Sequence, residues 1–442
     1  MKHLSRLYIG NRFFYVLLFL AACYAISFYI VPLRIVSTIL LWVWVSISFW
    51  DLIILHLPKN KVNIQRKYPD KLSNGDENRF TLIVTSTFPI KVNAKILEEI
   101  PVQLQIRNNE FNLELSSRKP HEVEYELQPK KRGIYRFGKC NVLISHLGLF
   151  ERKFVFDQEL EIPCYPSFIQ MRKYQLLATT DRLVEMGVKR IRRIGSTMEF
   201  DHIREYVKGD EYKHMNWKAS AKHKRLMVNQ YQEEKSQPIY SFIDIGRVMR
   251  MPFNDMTLLD YAINSTLVLS NAAILKQDRA GMLTFGKTCE NHIAPEKNNK
   301  QMKLISDKLY GITTNFEESE FGNLYAFMRR HVNKRSLIFL YSNFETLDAL
   351  NRQLPFLRMM AKSHILVAVV FKNTELIQMA KEDAKSTVEI YNKIIAEKFV
   401  YEKSLIIQEL NRNGLQTIYT APEDLSIKSI NKYLEIKARG LI

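Results

Sequence analysis

The pattern of apolar and polar residues divides the chain into an apolar start, a middle of short alternating runs, and a second half in which strands alternate with helices. The apolar start holds two runs, 13–31 without any charge and 35–57 with one charged residue, Asp51. Each run is long enough to span a hydrocarbon core of about 30 Å as a helix. Because the connection between them is so short, we expect a transmembrane helical hairpin over residues 1–57. Asp51 is expected to be solvated near the membrane surface, and a functional carboxylate inside the membrane is the alternative.

Positive charge flanks this apolar pair on both sides, whereas the connecting turn carries only Arg34. The positive-inside rule therefore places both ends of the pair, and everything after residue 57, in the cytoplasm. A cleaved signal peptide is the alternative for the first run, but that run is long, lacks a small-residue cleavage site and is followed at once by the second run. We expect a protein of the cytoplasmic (inner) membrane, with both termini and the soluble domains in the cytoplasm and with membrane lipid as one partner.

Residues 58–170 alternate between apolar and polar positions in short runs, with turn residues between the runs. A period of two is typical of strands that bury one face, and no helical period of useful length interrupts it. We expect a small β-sandwich domain of about seven strands. No group of residues in it suggests chemistry, so its expected role is spacing or contact with a partner.

From residue 238 to residue 442, buried strands alternate with amphipathic helices. This order predicts an α/β fold, a doubly wound parallel sheet with helices on both faces, in which ligands bind at the carboxyl ends of the strands. Polar residues follow two of these strands, Asp244 after the first and Ser342 with Asn343 after another, and Thr314 with Thr313 lies in a loop.

This arrangement resembles the von Willebrand factor type A domain, in which a strand-end Asp-x-Ser-x-Ser, a loop threonine and a second strand-end aspartate hold a divalent metal. The corresponding residues are Asp244, Gly246, Val248, Thr314 or Thr313, and Asn343. Both serines and the second carboxylate are absent, and hard cations need several oxygen ligands, usually more than one of them charged. We therefore expect a degenerate site at Asp244, Thr314 and Asn343 that holds no metal, and no cofactor.

Composition limits the function classes. The net charge of +18 is spread along the 442 residues, whereas a nucleic-acid binder more often concentrates it in one stripe or tail. Distributed positive charge fits equally well a protein beside an anionic membrane surface. The four cysteines have no paired spacing and are expected to be free thiols in a reducing compartment. No Cys/His cluster suggests a zinc site.

Residues 171–237 concentrate charge of both signs. Between residues 199 and 235 lie seven acidic and eight basic residues, interleaved with apolar ones. Because the charges nearly cancel, nucleic-acid binding is disfavoured. We expect this segment to pack on the domain that follows, with Trp217 largely buried and with Arg204, Glu205 and Asp210 in a hydrogen-bonded cluster close to it. Residues 200–207 are expected to form a short helix or a turn.

Other chemical interpretations of the segment are weaker. Three histidines have spacings that match no metal motif: His202, His214 and His223. Two carboxylate pairs offer acid/base chemistry: Glu199 with Glu205, and Asp201 with Asp210. Such pairs are common in any charged segment, and no serine, cysteine or lysine arrangement supports a nucleophile.

The segment resembles the signature of the bacterial family named domain of unknown function 58. The matching residues are Gly195, Glu199, Phe200, Arg204, Glu205, Tyr206, Gly209, Asp210, Trp217, Lys218, Ala219, Ser220, Ala221, Glu233 and Glu234. The sequence departs from the family pattern at Asn216, before the tryptophan, and at Lys222, after the alanine. Together with the hairpin, the β domain and the A-type domain, the resemblance covers nearly the whole chain.

The resemblance implies a non-enzymatic, membrane-tethered adaptor. Similar proteins are usually encoded near a MoxR-type AAA+ ATPase and other von Willebrand A-type membrane proteins, which are therefore the expected partners. The signature residues from Gly195 to Lys218 are the expected docking surface. The alternative is a cell-envelope hydrolase with residues 195–234 as its active centre, but such an enzyme would face outward, against the charge bias. No nucleic-acid partner is expected.

Overall fold

The computed structural model describes residues 7–28, 31–57, 61–106, 109–116, 119–172, 198–208, 210, 212–233, 236–384 and 386–441. Three residues of the signature lie outside these ranges: Gly195, Gly209 and Glu234. The chain forms two compact units, Met1–Tyr165 and Pro166–Ile442.

The first unit begins with two apolar helices, α1 (Asn11–Ile26) and α2 (Val31–His56). The rings of Phe13 and Trp44 lie 4.7 Å apart, and the hydroxyls of Tyr24 and Thr38 lie 2.9 Å apart. Phe13 near the start of α1 thus contacts the later part of α2, and Tyr24 near the end of α1 contacts the earlier part of α2, so the two helices are antiparallel. Most side chains of both helices are exposed, and the exposed ones are mainly aliphatic or aromatic, which suits a helix pair in an apolar environment.

Two helices in the described part of the chain are long and apolar enough to cross a membrane: Pro32–His56 and Leu258–Leu275. The second is 83% buried inside the protein and is explained as a core helix, whereas the first is only 17% buried. Length, composition and exposure therefore suggest membrane association for α2.

The all-β part of the first unit has more strands than the sequence predicts. The strands are β1 (Leu7–Ile9), β2 (Val62–Lys67), β3 (Leu72–Ser73), β4 (Asn78–Ser86), β5 (Val92–Glu98), β6 (Glu110–Leu115), β7 (His121–Leu127), β8 (Gly133–Phe137), β9 (Cys140–Ser145), β10 (Phe150–Phe156) and β11 (Leu160–Tyr165). They form three sheets with the orders β1-β10-β9-β5-β6, β2-β4-β7 and β3-β11-β8. Two-residue strands such as β3 are too short to show a period of two, which explains part of the undercount.

The apolar start of the chain is joined to this all-β part. Strand β1 pairs antiparallel with β10, with Ile9 opposite Phe150. Leu55, near the end of α2, is fully buried in the same core as Ile64 and Ile96. Residues before 57 therefore contribute both an edge strand and core contacts to the β unit.

Asp51 differs from the sequence prediction, which placed this carboxylate in water near the membrane surface. It is fully buried, and its Oδ1 accepts the backbone N–H of Leu147 at 3.4 Å. The loop between β9 and β10 covers this end of α2, so the loop replaces solvent around the carboxylate.

The second unit contains the hairpin of the signature, followed by an α/β domain. Its elements are β12 (Met198–Glu205), α3 (Trp217–His223), β13 (Met227–Glu233), β14 (Pro238–Asp244), β15 (Pro252–Phe253), β16 (Met256–Thr257), α4 (Leu258–Leu275), β17 (Arg279–Phe285), β18 (Cys289–Glu296), α5 (Asn299–Tyr310), α6 (Phe321–His331), β19 (Leu337–Tyr341), α7 (Leu347–Ser363), β20 (Ile365–Phe371), α8 (Thr374–Lys381), α9 (Thr387–Arg412), β21 (Gln416–Thr420) and α10 (Leu425–Ala438).

The central sheet has the strand order β18-β17-β14-β19-β20-β21. Five strands are parallel, and only the edge strand β18 is antiparallel. Counted along the chain this is the order 3-2-1-4-5-6 of a doubly wound fold, which reverses between β14 and β19. The predicted α/β class with parallel strands is thus confirmed, with β18 as an addition. Four of the eight residues of β18 are exposed and two are glutamates, so this strand lacks the continuous apolar run of its neighbours.

Apolar side chains cover both faces of this sheet. Phe339 and Val369 belong to one cluster and Phe242 and Leu340 to the other. Helix α4 lies in the first cluster and is capped by Thr257, whose hydroxyl accepts the N–H of Asp260 in a reciprocal capping box. The loops after β14 and β19 are held between these two packed layers, and they carry the polar residues described next.

Candidate functional site

The signature segment folds as an antiparallel pair of strands, β12 and β13, joined by a turn and helix α3. The expected helix or turn over residues 200–207 is wrong for most of its length, because β12 extends to Glu205. A register shift between Phe200 and His202 inserts one residue into the strand. The apolar residues Phe200 and Ile203 are three positions apart in the sequence, a spacing that is typical of a helix. A strand with one inserted residue can have the same spacing, because the insertion interrupts the alternation of two.

An ion pair fixes the turn that leaves β12. Arg204 Nη2 lies 2.6 Å from Asp210 Oδ1, and Asp210 Oδ2 accepts the backbone N–H of Val207 at 2.9 Å. The hydrogen bond from Arg204, followed by that from Val207, lowers the pKa of Asp210. The expected cluster holds for Arg204 and Asp210. Glu205 instead has Arg225 at 3.6 Å, in an exposed pair.

Trp217 is not buried as the sequence predicts, because 68% of its surface is exposed. It is the first residue of α3, whose N-cap is the side chain of Asn216, accepting the N–H of Ala219 at 2.9 Å. Ser220 holds the helix to β13, since its hydroxyl donates to the carbonyl of Asn216 and accepts the N–H of Met227, each at 2.8 Å. Ser220 is buried on the face of α3 that packs against β13, whereas Trp217 lies on an exposed face of this short helix.

Several large side chains of the segment are exposed. They are Ile203, Val207, Tyr212, Trp217 and Leu226. Tyr206 stacks on Tyr212 with 6.1 Å between ring centroids, and Lys218 is exposed beside Trp217. We call the exposed side chains among the described residues from 203 to 226 the hairpin surface. Glu199 and Phe200 lie in β12, but their side chains fall outside the described part of the structure.

A second polar group lies where the sheet order reverses, at the ends of β14 and β19. Asp244 is fully buried; its Oδ1 accepts the N–H of Gly246 at 2.8 Å and the hydroxyl of Ser319, and its Oδ2 accepts the hydroxyl of Ser342 at 2.6 Å. Burial raises the pKa of Asp244 despite these three hydrogen bonds. The sequence identified Asp244 and Ser342 but expected Thr314 to supply the loop hydroxyl.

The loop hydroxyl comes from Ser319, just before α6, while Thr314 is half-buried earlier in the same loop. No periodicity in the sequence separates these hydroxyls, so sequence reasoning had no signal for Ser319. A Cβ at Gly246 would lie 2.2 Å from Ser319 Oγ, so any side chain there would require Ser319 to move. The serine that the metal-binding pattern has at this position would therefore displace the hydroxyl that donates to Asp244.

Asn343, at the end of β19, accepts a hydrogen bond from an internal cation. Lys403 Nζ of α9 lies 2.8 Å from Asn343 Oδ1 and also donates to the carbonyl of Phe344. Burial lowers the pKa of Lys403 to about 8, and the nearby Glu345 and Glu402 only partly offset this. Sequence reasoning missed Lys403, which is sixty residues from Asn343. Among the described residues, no three His, Cys, Asp or Glu side chains are grouped to hold a metal ion.

Comparison with known proteins confirms the family resemblance over part of the chain. Residues 202–380 match the model of the family described as "Protein of unknown function DUF58". The "Uncharacterized protein YeaD" of Bacillus subtilis (strain 168) is 26% identical over 187 residues, which are 40% of this chain and 42% of that protein. The match therefore spans less than half the length of this relative.

Two solved structures resemble part of the chain weakly. The conserved hypothetical protein BatB from Bacteroides thetaiotaomicron is 11% identical with a TM-score of 0.33, and the match covers 46% of this chain and 99% of BatB. The SpRpn10 VWA domain is 11% identical with a TM-score of 0.27, and the match covers 43% of this chain and 93% of that domain. The fold assignment above rests on the strand order of the sheet.

Proposed function

We propose that this chain, which carries the DUF58 pattern over residues 202–380, is a non-catalytic, membrane-associated adaptor that binds a partner protein through the hairpin surface. The observation that carries the proposal is the exposure of Trp217, at 68% of its surface, within a charged hairpin. Large apolar side chains at a surface mark interaction sites, and tryptophan, tyrosine and arginine dominate the energy of protein–protein interfaces.

The charged residues of the hairpin support binding over catalysis. Arg204 and Asp210 pair with each other, and the lowered pKa of Asp210 keeps it ionised near neutral pH. A general acid or base works best when its pKa lies near the operating pH, so this carboxylate is poorly suited to proton transfer. The same pair suits a surface that must present fixed charges to a partner.

The group around Asp244 supports a structural role for the sheet edge. Its carboxylate is satisfied by Gly246, Ser319 and Ser342, and the adjacent amide of Asn343 binds Lys403. The carboxylate of Asp244 and the amide oxygen of Asn343 thus accept hydrogen bonds from the chain's own residues, and we infer that no metal is needed there.

Membrane association is the proposed setting. Trp42 and Phe49 of α2 are largely exposed, as expected for side chains that face lipid. Both free ends of the helix pair contact the β unit: Arg12 donates to the carbonyl of Leu147 at 3.2 Å, and Arg152 donates to that of Leu55. Ends on one side, flanked by lysine and arginine, support the inference that both termini and the folded units are cytoplasmic.

We infer from the family resemblance that the main partner is an AAA+ ATPase of the MoxR type, and that other von Willebrand A-type membrane proteins also bind. The hairpin surface has both apolar groups and nearly balanced charge, which fits a protein partner better than a nucleic acid. Membrane lipid contacts would be made by the helix pair.

The test is capture of the MoxR-type ATPase of the same organism by the full chain in detergent. Trp217→Ala is expected to weaken capture at least tenfold, while the free energy of unfolding changes by no more than about 0.5 kcal/mol because the side chain is exposed. The matched control is Tyr401→Ala, which removes an aromatic side chain of similar exposure from α9 and should leave capture unchanged.

Unchanged capture by the Trp217→Ala protein would contradict the hairpin surface as the docking site. The hydrolase alternative has a different outcome. It requires the parent chain to cleave envelope material, and Glu199→Gln to abolish that cleavage without changing the melting temperature or the binding of the ATPase.

A further inference from the structure

A cavity of about 290 Å³ lies at the carboxyl edge of the central sheet, next to Asn343 and Lys403. Its wall is mainly apolar and includes Phe253, Leu376 and Phe399. In doubly wound sheets this edge is where ligands bind. The volume lies near the lower end of the range for small-molecule sites, roughly 300–1,000 Å³. It equals about ten waters, which is room for a compact ligand of roughly a dozen heavy atoms.

The charged groups at the cavity favour an anion. Two lysines, Lys372 and Lys403, line it with one carboxylate, that of Glu345, so the charged lining residues sum to +1. Glu345 is exposed, whereas Lys403 is mostly buried and anchored through Asn343 and Phe344.

The ammonium of Lys403 can donate one more hydrogen bond than the described residues accept from it. It carries three N–H donors, and neutral oxygens of the described residues accept two of them. A partly desolvated cation held by neutral acceptors gains most from an anionic ligand, and among the described residues no carboxylate bonds to this ammonium. Helix α8 also begins at the cavity, with Asn373 as its N-cap, so its positive end adds to the same field.

We propose that this cavity binds a small amphipathic carboxylic acid, whose apolar part packs against Phe253, Leu376 and Phe399 and whose carboxylate accepts a hydrogen bond from Lys403. The site is separate from the hairpin surface, and it does not depend on the adaptor role. Shape and volume select a compact apolar group, and the lysine selects a carboxylate over a neutral or cationic head.

The experiment measures the binding of 2-naphthoate and of 2-naphthalenemethanol, which has the same rings without the charge, to the full chain in lipid nanodiscs by calorimetry. Empty nanodiscs supply the background. The parent is expected to bind the acid at least tenfold more tightly than the alcohol. Lys403→Met should bring the two affinities to within about threefold, whereas Lys398→Met, on the same helix but exposed, should preserve the preference.

Two further variants keep the proposal testable if Lys403→Met does not fold. Lys403→Arg retains the charge and should retain the preference for the acid. Leu376→Trp fills the cavity and should abolish binding of both compounds. The proposal is overturned if the folded parent binds neither compound at millimolar concentration or binds both equally. It is also overturned if Lys403→Met keeps the preference or if Leu376→Trp binds both like the parent.

Discussion

Asp244 illustrates how a buried carboxylate is stabilised without a cation. Its three hydrogen bonds come from a backbone N–H and two hydroxyls, all of them neutral. We expect millimolar magnesium to leave the melting temperature of the full chain unchanged. Asp244→Ala should lower the free energy of unfolding by at least about 2 kcal/mol in magnesium and in EDTA alike, because it leaves several buried donors unsatisfied. Calorimetric melting in both buffers measures this.

The control for this experiment is Asp307→Ala, which removes an exposed carboxylate from α5. A bound ion at a hundred times its dissociation constant would add about 2.7 kcal/mol to stability. An upward shift of the melting temperature in magnesium that persists in Asp307→Ala but disappears in Asp244→Ala would establish a metal site.

Lys403 gives a prediction for pH. Burial lowers its pKa to about 8, whereas a lysine in an unfolded chain titrates near 10.4. Between these values the unfolded chain holds a proton that the folded chain has lost, so the stability contribution of this site rises with pH, by at most about 1.4 kcal/mol per pH unit. The unfolding free energy of the parent, minus that of Lys403→Met, should therefore become more positive from pH 8 to pH 10.

Denaturant unfolding at a series of pH values measures this difference. Lys398→Met is the matched control, and its curve should run parallel to that of the parent. A pH-independent difference between the parent and Lys403→Met would show that the ammonium is not desolvated in the folded chain.

At the scale of elements, the Arg204–Asp210 pair holds the turn of the hairpin. Arg204→Asp places two carboxylates together and should speed protease cleavage near Val207 and weaken capture of the ATPase. Adding Asp210→Arg restores opposite charges and should recover most of both properties. The exposed pair of Glu205 and Arg225 is the comparison, since its swap should change the cleavage rate little. If the double swap at 204 and 210 behaves like the single one, the pair does not organise the turn.

Elements with a clear period were predictable from the sequence. The buried strands β14, β19 and β20 and the long helix α9 fall in the region where the sequence predicts apolar strands alternating with helices. The exposed edge strand β18 and the bulged strand β12 were missed or misassigned, because exposure and one inserted residue alter the pattern.

Of the polar group at the carboxyl edge of the sheet, only the residues that directly follow a predicted strand could be identified from the sequence. Asp244, Ser342 and Asn343 follow buried strands, so the topology alone places them together. Ser319 and Lys403 come from a loop and a helix far away in sequence, and only the packed structure brings them to that edge. The exposure of Trp217 was not predictable either, because it follows from the packing of Ser220 against β13, which the sequence pattern does not show.

At the scale of the whole molecule, α2 is the proposed anchor. Trp42 and Phe49 are exposed on it, and arginine near the middle of a membrane helix costs roughly 2.5–3.5 kcal/mol. We expect the parent to stay with membranes through high-salt and alkaline-carbonate washes, and the double variant Trp42→Arg and Phe49→Arg to be released. Sedimentation and immunoblotting measure the distribution.

The control replaces two exposed residues of a soluble helix, Val388→Arg and Tyr391→Arg in α9, and should not release the chain. Retention of the α2 double variant in the washed membranes would show that another surface is the anchor. Deleting residues 1–57 is a poorer test than the sequence suggests, because it also removes β1 and Leu55 from the β unit.

The pairing of β1 with β10 also sets an order of events during synthesis. Ile9 lies opposite Phe150, so the first strand leaves the ribosome 141 residues before its partner. At about 5–20 residues per second that interval is roughly 7–28 s. Helices α1 and α2 emerge within it, so an insertion machinery can act on them before the edge of the β sheet closes. If α2 anchors the chain as proposed, its insertion into the membrane can therefore precede completion of this sheet.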